Sequence, residues 1–128
     1  MKSYQLIRIG KLLATRAAIG DSTGRKILTL LVDTGSTYTI LPVEALEAIG
    51  KSPAQSKKHV RIVTGSGILI VPQVEVPVFQ CLGKQLKSFS LVGHTLPPAG
   101  PIDGLLGMDF LCKYQTKLDL AKGLISIA

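Results

Sequence analysis

The feature that most constrains this chain is an apolar run that stops abruptly in a polar turn. Ile27-Leu28-Thr29-Leu30-Leu31-Val32 is followed at once by Asp33-Thr34-Gly35-Ser36-Thr37. A nearly unbroken β-prone run of this length predicts a strand over residues 26–32 that is buried on both faces. Asp, Thr, Gly and Ser in succession predict a sharp turn directly after it. One carboxylate is therefore delivered by a buried strand into a tight loop. Asp-Thr-Gly is also ordinary turn chemistry, so the tripeptide alone does not separate a site from a simple turn.

The rest of the chain reads as short strands punctuated by glycine and proline. Residues 4–9 are β-prone. Residues 11–19 suit helix or strand by composition. The turn signal Asp21-Ser22-Thr23-Gly24 after them favours a hairpin with residues 26–32. Residues 42–50 predict a short helix, with Pro42 in the first turn, glutamates early and Gly50 at the stop. Residues 60–63 and 68–71 predict a hairpin whose tip is Thr64-Gly65-Ser66-Gly67, and Pro72 is expected to interrupt it. Residues 74–79 alternate, and Pro77 within them predicts an edge or a bulge. Further strands are expected at 86–92, 117–120 and 124–127, with a short helix over 108–114. The pattern predicts one all-β domain over residues 1–128, a closed barrel-like fold with one or two short helices.

Composition narrows the function. The 128 residues suit one core, and 46% hydrophobic content excludes a disordered chain. No apolar run approaches the roughly 20 residues of a membrane span, and residues 1–5 lack a secretory apolar core. The expected setting is cytoplasmic, with Cys81 and Cys112 reduced and packed as small hydrophobes. A net charge of +7 raises the question of nucleic acid. The basic residues are scattered, however, with only Lys57-Lys58-His59 and Arg61 close together, and aromatics are 5%. That argues for a solvated basic surface and against a nucleic-acid partner.

Elimination then points to carboxylates. His59 and His94 stand in polar or loop sequence, neither beside a recognised nucleophile. Two cysteines and two histidines at these spacings form no zinc pattern, and Gly65-Ser66-Gly67 lacks the lysine of a phosphate loop. No metal or organic cofactor is expected. Of eight acids, Asp33, Asp103 and Asp109 lie in apolar or glycine-punctuated sequence, and only Asp33 follows an apolar strand.

Val32-Asp33-Thr34-Gly35-Ser36-Thr37 resembles the active-site loop of aspartic proteases. Ile102-Asp103-Gly104-Leu105-Leu106-Gly107 resembles the second signature of that clan. A glycine-tipped hairpin lies between them, and a short helix and final hairpin follow. The order is that of the single-domain, retropepsin-like branch, over residues 26–128.

The resemblance implies roles. Asp33 is the catalytic acid. Thr34 links the two active-site loops of a dimer, Gly35 presents its N–H to the carboxylates, and Ser36 hydrogen-bonds the outer carboxylate oxygen. Leu31 and Leu105 line substrate pockets, Thr64, Gly65, Ser66 and Gly67 form the tip over the substrate, and Leu106 and Gly107 support the Asp33 loop. A single Asp-Thr-Gly implies that activity needs a homodimer, with residues 4–9 and 124–127 suited to a shared terminal sheet. The implied activity is peptide-bond hydrolysis by an aspartic endopeptidase acting on peptide or protein substrates. The alternative is a non-catalytic module of the same fold that dimerises or binds an extended peptide by strand addition.

Overall fold

The computed structural model describes residues 1–21, 23–64, 66–97 and 100–128, with the side chain of Thr64 left aside. Its strands are β1 (Lys2–Gln5), β2 (Ile7–Ile9), β3 (Leu12–Gly20), β4 (Arg25–Val32), β5 (Ile40–Leu41), β6 (His59–Thr64), β7 (Gly67–Cys81), β8 (Lys84–Gly93), β9 (Gly104–Leu106), β10 (Thr116–Asp119) and β11 (Leu124–Ile127). Helix α1 (Val43–Ala48) follows β5, and α2 (Met108–Leu111) follows β9.

The larger sheet runs β2-β3-β4-β9-β5-β8-β7-β6, and β3 also pairs with β7. That extra pairing closes β3, β4, β9, β5, β8 and β7 into a barrel-like ring. Closure is possible because two strands divide one flank each. β3 pairs with β2 over residues 12–14 and with β7 over 17–20. β7 pairs with β6 over 67–72 and with β3 over 78–81. The mostly β, barrel-like architecture expected from sequence is present.

Alternation along the strands fills the ring. Ile19, Leu30, Leu41, Leu46, Val76, Phe79, Leu91, Leu106 and Phe110 are fully buried. Phe79 packs on Phe89 and Phe110 at centroid distances of 5.0 and 5.7 Å. Each such aliphatic side chain contributes about 2 kcal/mol on burial. A smaller cluster of Ile40, Val71 and Val92, with Ile62, Leu96 and Leu105 against it, lies on the hairpin side.

Several expectations are corrected. β4 is not buried on both faces throughout: Leu28 and Leu30 are buried, but Ile27 is 69% exposed. Burial alternates along β4, with Leu28 and Leu30 on the core face and Ile27 on the opposite, solvent-facing one. The stretch 4–9 is two strands, divided at buried Leu6, whose N–H donates to the Gly123 carbonyl at 2.8 Å. β1 pairs with β11, which pairs with β10, so these terminal strands form a three-stranded sheet within one chain. Pro72 does not interrupt β7, because it stands at the last register pair with β6, opposite His59. At Pro77 the β7–β8 ladder skips one pair, and Ser88 there adopts φ 55°. The missing proline donor is thus absorbed by a local distortion. Helix α2 is four residues long, shorter than the 108–114 expected. Cys81 is buried, but Cys112 is exposed, so only the first is packed as a small hydrophobe.

Candidate active site

Strand β9 lies between β4 and β5. It runs parallel to β4, with Leu31 opposite Leu105 and Val32 opposite Leu106, and antiparallel to β5, with Ile40 opposite Leu105. The loop from Asp33 to Thr39 must therefore step over the end of β9. The second glycine-rich signature supplies the clearance. A Cβ on Gly107 would overlap the Tyr38 carbonyl group, and one on Gly104 would overlap that of Ile40. Backbone cannot give way as a flexible side chain can, so these positions require glycine.

Hydrogen bonds fix the loop in this crossing. The Asp33 N–H donates to the Leu106 carbonyl at 3.0 Å, and the Ser36 N–H donates to the Asp33 carbonyl at 3.2 Å. The Gly35 N–H donates to Asp33 Oδ1 at 2.9 Å. Asp33 itself is half-buried. Ser36 departs from its expected role: its hydroxyl donates to the Tyr38 carbonyl at 2.7 Å, within the loop, and not to the Asp33 carboxylate. Met108 and Asp109 donate their N–H groups to the Ser36 and Thr37 carbonyls at 2.8 and 3.0 Å.

The other two candidate acids are engaged elsewhere. Asp103 Oδ2 accepts from the Thr29 N–H at 2.8 Å. Asp109 accepts from the Thr39 N–H at 2.8 Å, the Thr39 hydroxyl at 2.6 Å and the Phe110 N–H at 2.8 Å. The buried Thr39 hydroxyl in turn accepts from the Gly107 N–H at 3.1 Å. Burial raises the Asp109 carboxyl above its ordinary 3.8, against the opposing pull of Thr39 and Phe110 donors and the nearby Lys113. Asp109 and Thr39 are the supports of the loop that sequence does not mark. Their only signal is an acid just after Leu-Leu-Gly, and its partner lies 70 residues away.

Above the loop is a cleft of about 540 Å³. Asp33, Gly35, Ser36 and Thr37 form one side, with Ile40 and Leu105 beside them. The β6–β7 hairpin contributes Arg61, Ile62, Val63, Ser66 and Leu69, and the segment after β8 contributes His94, Leu96 and Pro97. Leu105 thus faces the cleft. Leu31, its half-buried register neighbour, is not among the lining residues. Gly67 pairs with Thr64 at the base of the tip; Gly65 and the Thr64 side chain lie outside what is described. Arg61, grouped by sequence with the solvated bases, and His94 both line the cleft.

Thr34 faces away. It is exposed and borders a second hollow of about 340 Å³, walled by Met108, Leu111, Cys112, Tyr114, Thr116 and Leu118. Among the described residues, no group of three His, Cys, Asp or Glu is placed to hold a metal ion, and no helix is long and apolar enough to cross a membrane.

Comparison with known proteins bears on the fold and the family. No curated protein matches the chain. Among solved structures, a retropepsin-like aspartic protease from Rickettsia conorii superposes with a TM-score of 0.70 at 17% identity, covering 98% of this chain and 90% of that one. That likeness concerns the fold. The aspartyl protease family model matches residues 16–110, which take in the Asp33 loop, the hairpin, the Leu105-Leu106-Gly107 segment and most of α2. The chain belongs to the aspartyl protease family.

Proposed function

We propose that this chain is an endopeptidase that hydrolyses peptide bonds as a homodimer, one Asp33 from each copy acting on a shared water. The observation that carries the reading is the distribution of the carboxylates. Asp33 is held by the Gly35 N–H at the edge of the cleft. Asp103 and Asp109 are committed to Thr29 and Thr39. A chain with one carboxylate at its cleft needs a second copy to complete an acid pair.

Two carboxylates brought face to face share one proton, because both cannot ionise readily. The ionised one takes a proton from water as it attacks the peptide carbonyl, and the protonated one hydrogen-bonds the carbonyl oxygen. Thr34 supports the same reading. It is exposed at the loop tip, and no hydrogen bond within the described chain engages its hydroxyl. It is available to bond the loop of a second copy. The substrate lies extended beneath the hairpin, with apolar side chains next to Ile40 and Leu105.

The test is a peptide library incubated at acidic and neutral pH with wild type, Asp33→Asn and Asp33→Ala, alongside sedimentation at several concentrations. Cleavage by wild type alone, from a dimer, is expected. Equal cleavage by wild type and variants rules out the mechanism. A monomer at all concentrations that binds peptide without cutting it replaces this reading with the binding-module one.

A further inference from the structure

The charges facing the cleft are unbalanced. Among the described residues Asp33 is its one carboxylate, whereas Arg61 and His94 both line it. Arg61 lies on β6, opposite Ile70 of β7, within the hairpin that covers the cleft. Among the described residues, no carboxylate forms an ion pair with its guanidinium. Its neighbours on the lining, Ile62, Val63 and Leu69, offer no acceptor side chain.

We infer that Arg61 is a specificity-determining residue that selects peptides carrying an Asp or Glu side chain flanking the apolar residues at the cut. This inference rests on the proposed use of the cleft for peptides. In a dimer, two Asp33 sharing one proton carry one negative charge, and two Arg61 carry two positive charges. The assembled cleft is therefore cationic before any contribution from His94. A neutral or basic peptide leaves that charge without a partner, while a carboxylate meets it. The guanidinium presents a planar fork of donors that matches a carboxylate in two-point contact. Apolar walls closing on the peptide exclude water and strengthen that contact beyond its value on an open surface. The overall charge of +7 favours approach of the same peptides.

The measurement is binding of peptides whose central bond is replaced by a non-cleavable hydroxyethylene group, read by fluorescence anisotropy. Three ligands share apolar central residues and differ at one flanking position, which is Glu, Gln or Lys. At pH 6.5 the Glu ligand is expected to bind about 5- to 10-fold more tightly than the Gln ligand, and the Lys ligand least well. The Glu/Gln ratio falls to about 1 in Arg61→Gln, is partly kept in Arg61→Lys, and reverses toward Lys in Arg61→Glu. It also falls to about 2 or less in wild type at pH 3.5, where most of the ligand carboxyl is protonated. Equal binding of the Glu and Gln ligands, or a Glu preference that survives Arg61→Gln, overturns the inference while leaving the protease reading intact. Failure of all three ligands to bind overturns both.

Discussion

Thr39 and Asp109 bind each other through two contacts: the Thr39 N–H on Asp109 Oδ2 at 2.8 Å and the Thr39 hydroxyl on Asp109 Oδ1 at 2.6 Å. Removing the acid leaves a buried N–H and a buried hydroxyl short of an acceptor. Asp109→Ala is expected to cost about 2 kcal/mol in urea denaturation. It is also expected to lower peptidase activity, because the loop that carries Asp33 loses its anchor.

The same acid has a pH signature. Burial raises its carboxyl in the folded chain above the ordinary 3.8. The folded state therefore holds the proton more tightly than the unfolded state. Its stabilising contribution is complete below 3.8 and is lost as pH rises through the higher folded value. Asp109→Asn removes that component, so the difference in melting temperature between wild type and variant is expected to change across this interval and to be flat above it.

Gly107 has backbone where a side chain would go. Gly107→Ala forces its Cβ into the Tyr38 carbonyl group and is expected to cost roughly 2–3 kcal/mol in the urea midpoint analysis. Gly24→Ala, where a Cβ meets nothing within 4 Å, is the control and is expected to change stability little.

Asp33→Asn keeps an acceptor for the Gly35 N–H and removes the ionisable group. Peptide cleavage is expected to fall about 1,000-fold or more, with the unfolding curve close to that of wild type. Thr34→Ala, at an exposed position, is expected to leave the unfolding of the single chain unchanged. In sedimentation it weakens self-association roughly 10- to 30-fold, from two symmetry-related hydrogen bonds of about 1 kcal/mol each.

The two thiols separate cleanly. Burial pushes Cys81 up to about 12, while Cys112 is exposed. Iodoacetamide at pH 8 is expected to label Cys112 in the native protein and Cys81 only after unfolding, as read by peptide mass mapping.

Much of the fold is legible in the sequence because its signals are local. The helix stop at Gly50, the turn at Asp21 and the Asp33 turn each depend on residues a few positions apart. The ring, by contrast, depends on strands sharing a flank, as β3 and β7 do, and no local pattern encodes a shared flank. The site divides in the same way. Asp33 and Gly107 are visible as motifs. The Thr39–Asp109 buttress is not, because its members are distant and individually ordinary. Leu31 illustrates a different limit: it matches Leu105 in apolarity and register, yet the cleft wall contains only Leu105. Ser36 shows that a hydroxyl next to a carboxylate in sequence can be captured first by its own loop.

Strand β7 runs unbroken for 15 residues, from the hairpin tip at Gly67 to Cys81 in the wall of the ring. It has no hinge of the kind a swinging door needs. Residues 67–72 ladder with β6 alone and 74–76 with β8 alone, and pairing on both flanks begins only at Val78. The covering hairpin is accordingly a leaf spring clamped at Phe79 in the core. Lifting it over a peptide means flexing the spring, and the clamp lies in the same aromatic cluster that packs Phe110 beneath the Asp33 loop.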